Sequence, residues 1–288
     1  MTGRPDKLMV YLRLGRVSNL PTVWSNTIAG VVLAGGSPCA LAVASLALAM
    51  TLCYVGGMFL NDAFDREIDA RERPERPIPA GHIAVDEVFA IGFGLLAAGS
   101  ALTIAIGGAN AALPTVALAT AIVAYDVWHK GNPASPLLMG ICRMLVYVTA
   151  ACASSGGVSA AVWTGAGVLL CWLIGLSYVA KQENLSEVRN LWPLALLAAP
   201  VVSLWSFAGT TVAALLLLLL LGVWAVRCVR LLTERTPGNI PRAVVGLIAG
   251  ISLVDAIAIA GAGGGLLTLV AAAGFPLTLA GQRSVKGT

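Results

Sequence analysis

Charged side chains are scarce in this chain of 288 residues: they make up 11% of the sequence, whereas 58% is hydrophobic. Soluble domains carry about 25% charged residues, so the polar groups present here are too few to cover a water-facing surface. The composition therefore excludes an ordinary soluble protein. It predicts a polytopic membrane protein that forms a single domain over residues 1–288.

Cysteine and histidine patterns that would hold a metal are also missing. Six cysteines are scattered without metal-ligand spacing, and most lie inside apolar segments, where we interpret them as small packing residues. Only two histidines occur, His82 and His129, and both fall in charged loops without an evident partner. The formal net charge of +4 is explained by anionic lipid headgroups, so we expect the lipid bilayer, and no nucleic acid, as a partner.

Ten apolar segments are long enough, or nearly so, to be membrane-spanning helices. Alternate connections between them hold nearly all the basic residues, and the remaining connections are short, uncharged turns. Because basic loops mark the cytoplasmic side, the pattern predicts an integral, multi-pass protein of the bacterial inner membrane, with both termini and the acidic loops cytoplasmic. The ten segments lie at about residues 20–34, 40–61, 87–106, 110–126, 136–154, 160–180, 191–208, 211–229, 243–261 and 265–280.

The densest charged run, Leu60–Gly81, directly follows the second apolar segment. Asn61, Asp65 and Asp69 recur every four residues, so on a continuing helix they share one face, with Asp62 nearby. Carboxylates at that spacing repel one another unless a cation lies among them, and their oxygens suit Mg²⁺. The pattern therefore indicates a Mg²⁺ site formed by Asp62, Asp65 and Asp69.

Four arginines follow within the same run, which ends in a stiff Arg76-Pro-Ile-Pro-Ala-Gly81 turn. In a solvated cytoplasmic loop these arginines would simply pair with the acids. The order of the residues favours a different interpretation, because acids that hold a metal beside arginines that hold an anion form a site for a metal–phosphate ligand.

Two further cytoplasmic connections carry candidate residues. Glu183 and Glu187 lie four residues apart after the sixth segment and are candidate metal ligands, although glutamates near a helix end are also ordinary surface residues. After the fourth segment, Lys130 is placed to reach a phosphate, and Asp126 either joins the metal ligands or pairs with Lys130. The aromatic residues beside them are equally typical of a membrane-interface belt.

Two charged residues lie inside apolar segments, where a charge is costly and usually faces a cavity or a partner. Arg143 lies one to two turns into the fifth segment, with Tyr147 one turn further along the same face, and Asp255 lies inside the ninth segment. An ion pair between Arg143 and Asp255 would be purely structural. We favour anion binding for Arg143 and a structural role for Asp255.

The Asn61-Asp62-x-x-Asp65-x-x-x-Asp69 pattern, at the cytoplasmic end of the second helix, resembles the first aspartate-rich motif of the UbiA superfamily of intramembrane prenyltransferases. The Arg76-Pro-Ile-Pro-Ala-Gly81 segment is similar to the next motif of that family. Arg16-x-x-Asn19, the Tyr125 and Lys130 pair and the second acidic loop fit the same plan. The ERPERPIPAG and YDVWHKGNP segments are most similar to the EboC-like branch.

This resemblance implies an all-α membrane bundle, usually of nine transmembrane helices, around a central cavity; together with the ten apolar segments, it leads us to expect nine to ten helices. It implies Mg²⁺ as cofactor, an isoprenyl diphosphate as donor, and an aromatic or other lipophilic acceptor. By position, Asp65, Asp69 and Lys130 are the candidate catalytic residues. Because an allylic diphosphate ionises to a carbocation, aromatic faces that steady it are also expected. The candidate substrate-binding residues are Asn19, Tyr54, Asn61, Arg76, Arg143, Tyr147 and Tyr178.

Two features depart from the family pattern: glutamates stand in place of aspartates in the second motif, and ten segments exceed the usual nine. The first departure keeps open a UbiA-like protein that binds or transports an isoprenoid precursor without transferring it. A CDP-alcohol-type transferase is disfavoured because its longer Asp-Gly/Ala-Arg/Gly/Asp pattern is absent. A secondary transporter is disfavoured because only Asp255 and Arg143 approach mid-bilayer.

Overall fold

The computed structural model describes residues 6–36, 39–181, 192–202, 211–234, 236 and 238–285, and these form α-helices, short 3₁₀ helices and turns. The all-α prediction is thereby confirmed. The α-helices are α1 (Lys7–Leu14), α2 (Leu20–Leu33), α3 (Ala40–Phe64), α4 (Arg66–Glu72), α5 (Val85–Trp128), α6 (Ser135–Ser155), α7 (Ala160–Lys181), α8 (Val212–Glu234), α9 (Asn239–Gly261) and α10 (Leu266–Ser284). The 3₁₀ helices are Val17–Asn19 and Trp192–Ala198.

Six of the described helices are long and apolar enough to cross a membrane, namely α3 and α5 to α9. The longest, α5, contains 44 residues and a non-helical residue, Gly108, with φ 60° and ψ −149°. That backbone conformation is open to glycine because it has no Cβ. The short uncharged connection expected between the third and fourth apolar segments is therefore a chain reversal at Gly108.

Both halves of α5 pack against α3, in opposite directions. In the first half, a Cβ on Gly56 would lie 2.7 Å from the Gly92 carbonyl oxygen, and one on Gly99 would lie 2.7 Å from that of Ala49. In this half, residue numbers rise on α5 as they fall on α3, so the two helices are antiparallel. The missing side chains allow the two backbones to approach closely, as is common between membrane helices.

The second half of α5 runs parallel to α3. Gly57 approaches Ile122, and Asn61 at the end of α3 bonds to Asp126 near the end of α5. Since α3 and this half of α5 end together, the acidic run after α3 and the loop after α5 lie at the same end of the bundle.

A second group of helices is organised around α9, which is buried along most of its length and packs against α2, α7, α8 and α10. Trp172 of α7 is fully buried and donates from Nε1 to the Leu247 carbonyl oxygen at 3.1 Å. Helix α2 connects the two groups, because it also contacts α3 and α6. Polar residues of α2 therefore lie at the centre of the bundle.

Candidate active site

Four oxygen-bearing side chains are buried at the junction between α3 and α4. Helix α3 ends at Phe64, and Asp65 stays in a helical conformation before α4 begins at Arg66, so the four-residue spacing continues across the junction. Asn61, Asp65 and Asp69 are at most 4% exposed, and Asp62 is 7% exposed. Burial of carboxylates at this density requires positive partners.

Two arginines from outside the two helices meet these carboxylates. Arg16 donates from Nη2 to Asn61 Oδ1 at 3.0 Å and to Asp62 Oδ1 at 2.9 Å. Arg76 bridges two acids, with Nη1 lying 3.2 Å from Asp62 Oδ1 and 2.8 Å from Asp69 Oδ2. Both side chains are about one-fifth exposed. Part of the acidic run is therefore paired with arginine, as in the simple loop interpretation, but within a buried site.

Arg16 has a left-handed backbone, with φ 43° and ψ 46°, and no other described residue except glycine has a positive φ. This conformation is disfavoured for a residue with a Cβ. It turns the chain from α1 into the first 3₁₀ helix at the position that carries the Asn61 and Asp62 contacts. Strain of this kind is typical of functional positions.

Asp65 faces the loop after α5. Its Oδ2 lies 3.2 Å from His129 Nε2 and 3.5 Å from Lys130 Nζ. The His129 ring stacks on Tyr125, one turn earlier, with centroids 4.9 Å apart. The Lys130 side chain is 40% exposed. The predicted catalytic residues Asp65 and Lys130 are thus brought together, and His129 has the partner that sequence analysis did not find.

Asp126 lies deeper in the same cluster and is 3% exposed. Its Oδ1 accepts from Asn61 Nδ2 at 3.2 Å, while its Oδ2 is buried and has no hydrogen-bond partner among the described residues. Asp126 does not pair with Lys130, since the described structure shows that lysine with Asp65. A buried oxygen without a partner calls for an explanation, and a cation bound there during function is one such explanation.

Asp69, in the short helix α4, is subject to opposing effects on its pKa. Burial raises the pKa of this carboxyl above its ordinary value, while Arg76 opposes the shift and the neighbouring Asp62 and Asp65 add to it. The Arg76 contact therefore only partly offsets the cost of burying several acids together. An additional cation would favour the ionised form.

Oxygen-only donors fit a hard cation such as Mg²⁺, which takes one or two carboxylates together with phosphate oxygens. In the described ranges, however, no three acidic, histidine or cysteine side chains converge as a metal cluster. Asp62 and Asp69 are instead joined through Arg76. The residues present thus fit Mg²⁺ in two respects: their donor atoms are oxygens, and Asp126 Oδ2 is available as a ligand. The predicted ligands Glu183 and Glu187 lie outside the described residues.

Arg143 lies deeper in the bundle than the acids. Its guanidinium stacks over the Tyr54 ring, 5.2 Å from the centroid, and donates from Nη1 to Asn26 Oδ1 at 2.8 Å. Among the described residues, no carboxylate lies within ion-pair distance of Arg143. The direct pair with Asp255 considered from the sequence is therefore absent, and Asn26 of α2 lies between the two.

Asp255 is fully buried and accepts three hydrogen bonds. The donors are Tyr147 Oη at 2.5 Å, Ser25 Oγ at 2.5 Å and Asn26 Nδ2 at 2.7 Å. This arrangement supports the structural interpretation of Asp255. Tyr147 is fully buried and its hydroxyl donates to Asp255, and its substrate role stays a prediction.

The remaining two candidates lie elsewhere in the bundle. Asn19 is buried at the end of the first 3₁₀ helix, and its Oδ1 accepts from Gln282 Nε2 of α10 at 2.5 Å. Tyr178 is half-buried, three residues before the end of α7. The substrate roles of Asn19 and Tyr178 stay predictions.

Three residues that contact the acidic face were weighed lightly or not at all in the sequence: His129 was given no role, Arg16 was noted only within the Arg16-x-x-Asn19 pattern, and Asp126 was considered only as a metal ligand or a partner of Lys130. Asp126 and His129 flank the selected Lys130 closely, which was the available signal. The Arg16 contact joins residues 46 positions apart, and no local pattern in the sequence indicates it.

The UbiA prenyltransferase family matches residues 23–249. The chain is 42% identical over 113 residues to the digeranylgeranylglyceryl phosphate synthase of Ignicoccus hospitalis, covering 38% of this chain and 37% of that protein. The enzyme of the same name from Natronomonas pharaonis is 29% identical over 219 residues, which cover 73% of this chain and 76% of that protein. The 4-hydroxybenzoate octaprenyltransferase of Shewanella woodyi is 25% identical over 228 residues, covering 70% and 79%.

Solved structures share the fold. A UbiA homolog from Aeropyrum pernix K1 superimposes with a TM-score of 0.66 at 16% identity, covering 83% of this chain and 97% of that one. A UbiA homolog from Archaeoglobus fulgidus bound to GPP and Mg²⁺ has a TM-score of 0.59 at 14% identity, covering 88% and 99%. Because the family match extends over well more than half of the sequence, this chain belongs to the UbiA prenyltransferase family.

Proposed function

We propose that this protein is a Mg²⁺-dependent intramembrane enzyme that moves an isoprenyl group from its diphosphate to a lipophilic acceptor. The observation that carries the proposal is the buried cluster of Asn61, Asp62, Asp65, Asp69 and Asp126 at one end of an apolar bundle. Carboxylates, arginines and a lysine within one such cluster suit a diphosphate bound together with a metal.

The relatives support the donor class more firmly than the acceptor. The names of the relatives compared above differ in the acceptor, which is of the glycerophosphate type in one and hydroxybenzoate in the other. All of these relatives are prenyl-transferring enzymes. A structural neighbour is bound to GPP and Mg²⁺. We therefore assign this chain an isoprenyl diphosphate donor, and an aromatic or other lipophilic acceptor.

The residues have separable roles. Asp62, Asp65 and Asp69 would hold Mg²⁺, with Asp126 Oδ2 as a further oxygen and Glu183 and Glu187 as proposed ligands from the second acidic loop. When bound, Mg²⁺ neutralises charge on the diphosphate and makes it a better leaving group.

The chain's own cations act on the same leaving group. We propose that Lys130, beside Asp65, and Arg76, at the rim of the cluster, bind diphosphate oxygens, and that Asn61 orients the neighbouring groups. The donor C–O bond breaks with its electron pair going to the diphosphate. The allylic cation is then attacked by the acceptor, which loses a proton. Tyr54, two turns below Asn61, is placed to steady the cation.

The finer architecture belongs to the same proposal. We expect nine to ten spans around a central cavity that holds the isoprenyl tail, counting the two halves of α5 separately. We also propose a bacterial inner-membrane location with a cytoplasmic acidic face, and membership of the EboC-like branch.

The test is incubation of the purified protein with a series of labelled prenyl diphosphates and Mg²⁺, followed by mass analysis of products. Asp65→Asn and Asp69→Asn should abolish Mg²⁺-dependent product formation and weaken Mg²⁺-dependent GPP binding. Glu72→Gln, which changes an exposed acid of the same short helix, is the matched control and should behave as the parent does.

Full turnover in both aspartate variants would refute the proposed roles. The chain's internal pairing of Asp62 and Asp69 through Arg76 favours one alternative, a protein that binds or transports the isoprenoid without transferring it. GPP binding without any prenylated product or released pyrophosphate would support that alternative.

A further inference from the structure

We infer that the outer surface formed by Trp224, Arg227, Arg242 and Phe275 binds one anionic phospholipid. This surface, called the α8–α10 surface here, lies between α8 and α10 over the start of α9. The arginines hold the lipid phosphate, and the acyl chains lie along α8. The site is separate from the acidic cluster and does not depend on the proposed prenyl transfer.

Helices α8 and α10 flank α9 and run in the same direction. Thr211, just before α8, donates from Oγ1 to the carbonyl oxygen of Ala260 near the end of α9 at 3.5 Å, so α8 and α9 are antiparallel. Helix α10 follows α9 after a short turn and packs back against it. Near the end of α10, a Cβ on Gly281 would lie 3.2 Å from Ser18, which is two residues from Arg16. The ends of α8 and α10 and the start of α9 therefore lie at the end of the bundle that carries the acidic cluster.

Two aromatic side chains form the base of the α8–α10 surface. Trp224 of α8 donates from Nε1 to the Gly246 carbonyl oxygen of α9 at 2.8 Å. Its ring meets the Phe275 ring of α10 edge-on, with the centroids 4.9 Å apart. Trp224 is thus fixed by contacts with both neighbouring helices, and a side chain that stacks on it is fixed in turn.

Arg227 is held on this aromatic base. Its guanidinium lies over the Trp224 ring, 5.2 Å from the centroid, and the residue is exposed. Arg227 precedes Glu234, the last residue of α8, by seven residues, which is about 10 Å along the helix axis. A tryptophan and an arginine at this depth on a membrane helix are typical of the boundary between lipid headgroups and acyl chains.

Two more exposed arginines lie at the same end of the α8–α10 surface. Arg242 of α9 precedes Gly246 by four residues, so it lies one turn closer to the acidic end on nearly the face that Trp224 contacts. Arg283 of α10 follows Phe275 by eight residues, or about two turns. Three helices therefore each contribute a positive charge to this end of the surface.

None of these three arginines has a carboxylate within ion-pair distance in the part of the chain that the structure describes. Arg16 and Arg76, in contrast, pair with the acids of the cluster. Glu234, the acid nearest to Arg227 in the sequence, accepts from Asn239 Nδ2 at 3.5 Å. Because positive charges at one end of a surface repel one another, a bound phosphate stabilises the arrangement.

An aliphatic strip on α8 extends the site toward the middle of the membrane. Leu216, Leu220 and Val223 precede Arg227 at helical spacing, so the four side chains share one face of α8, and all are exposed. A phosphate on Arg227 with acyl chains along this strip matches one phospholipid. A second copy of this chain is disfavoured as the occupant, because a symmetric contact would bring its arginines to the same place.

The test is native mass spectrometry of the full chain in detergent, titrated with phosphatidylglycerol or with phosphatidylcholine that has the same acyl chains. Both lipids contain a phosphate, but choline neutralises it, so the pair isolates the net charge. The parent should bind one phosphatidylglycerol with a Kd lower by about tenfold or more than that for phosphatidylcholine. Glycerol 1-phosphate, which lacks the acyl chains, should not displace the lipid at the same concentration.

Arg227→Gln and Arg242→Gln should each raise the Kd for phosphatidylglycerol about fivefold, and the double variant should bind the two lipids equally. Arg13→Gln is the matched control, because it removes an exposed arginine from the last turn of α1, and it should bind as the parent does. The unfolding temperature of each variant in lipid-free detergent should equal that of the parent, since the changed side chains are exposed.

Equal affinity of the parent for the two lipids, or a preference that survives in the double variant, would overturn the inference. An increase in Kd as large for Arg13→Gln as for Arg227→Gln would also overturn it, because it would show diffuse attraction by the whole basic face. A dimer without bound lipid that dissociates in the double variant would assign the α8–α10 surface to a second copy of the chain instead.

Discussion

The side chain of Asp126 has a buried oxygen that lowers the stability of the fold but is available to bind a ligand. One carboxylate oxygen accepts from Asn61, and the other has no hydrogen-bond partner in the part of the chain that the structure describes, although the residue is 3% exposed. Leaving a buried polar atom unsatisfied costs about 1–3 kcal/mol. Such a cost is reasonable where the oxygen binds a cation during function.

Asp126→Asn should therefore separate stability from binding. The amide keeps an oxygen that can accept from Asn61 and removes a buried ionisable carboxyl, so thermal unfolding in detergent should occur at the same or a higher temperature. The Mg²⁺ concentration that half-saturates GPP binding should rise several-fold, because one oxygen ligand loses its charge. A lower unfolding temperature together with unchanged Mg²⁺ dependence would show that Asp126 is structural.

Helices α3 and α5 approach each other through glycines, so their packing depends on positions without side chains. A Cβ on Gly56 would lie 2.7 Å from the Gly92 oxygen and 2.8 Å from the Leu96 nitrogen, both of them backbone atoms. Gly94 faces open space on the same helix as Gly92. Side-chain movement cannot relieve the first contact, since backbone atoms make it.

Gly56→Ala should consequently force α3 and α5 apart and destabilise the protein by about 1–3 kcal/mol, the usual cost of overpacking. Gly94→Ala adds the same methyl group without a clash and should not destabilise it. The comparison is made from the denaturant midpoint of each purified variant. Equal midpoints for the two variants would contradict the close packing of these helices.

The bundle as a whole has one charged end and one uncharged end. The acidic run, the loop after α5 and the C-terminal end of α7 meet at one side, where Lys181 Nζ donates to the Asn132 carbonyl oxygen at 3.2 Å. The turn around Gly156 at the opposite end of α6 contains no charged residue. Because lysine and arginine remain preferentially in the cytoplasm, the charged end determines the orientation.

Reporter fusions test this orientation directly. Alkaline phosphatase joined after Gly131, in the charged loop, should be inactive because it stays in the cytoplasm. The same reporter joined after Gly157, in the uncharged turn, should be active. Green fluorescent protein at the two positions should give the opposite pattern. Alkaline phosphatase activity in the Gly131 fusion, with none in the Gly157 fusion, would show that the protein has the opposite orientation in the membrane.

Local sequence patterns predicted much of the helical organisation. The four-residue spacing of Asn61, Asp65 and Asp69 was enough to predict their shared face, and all three are buried. Uncharged turns predicted the helix ends near Gly108 and Gly156. Helix limits on the charged side were less accurate: α9 begins at Asn239 rather than near 243, since charged residues can extend a helix beyond the membrane.

Composition and periodicity determined that this chain lies in a bilayer and concentrates its acids at one end, because both follow from the cost of putting charge into hydrocarbon. Only the tertiary structure decided which cations meet those acids. Arg16 reaches Asp62, and His129 reaches Asp65, because α1, α3 and the second half of α5 end side by side. The same packing placed Asn26 between Arg143 and Asp255, where the sequence had allowed a direct ion pair.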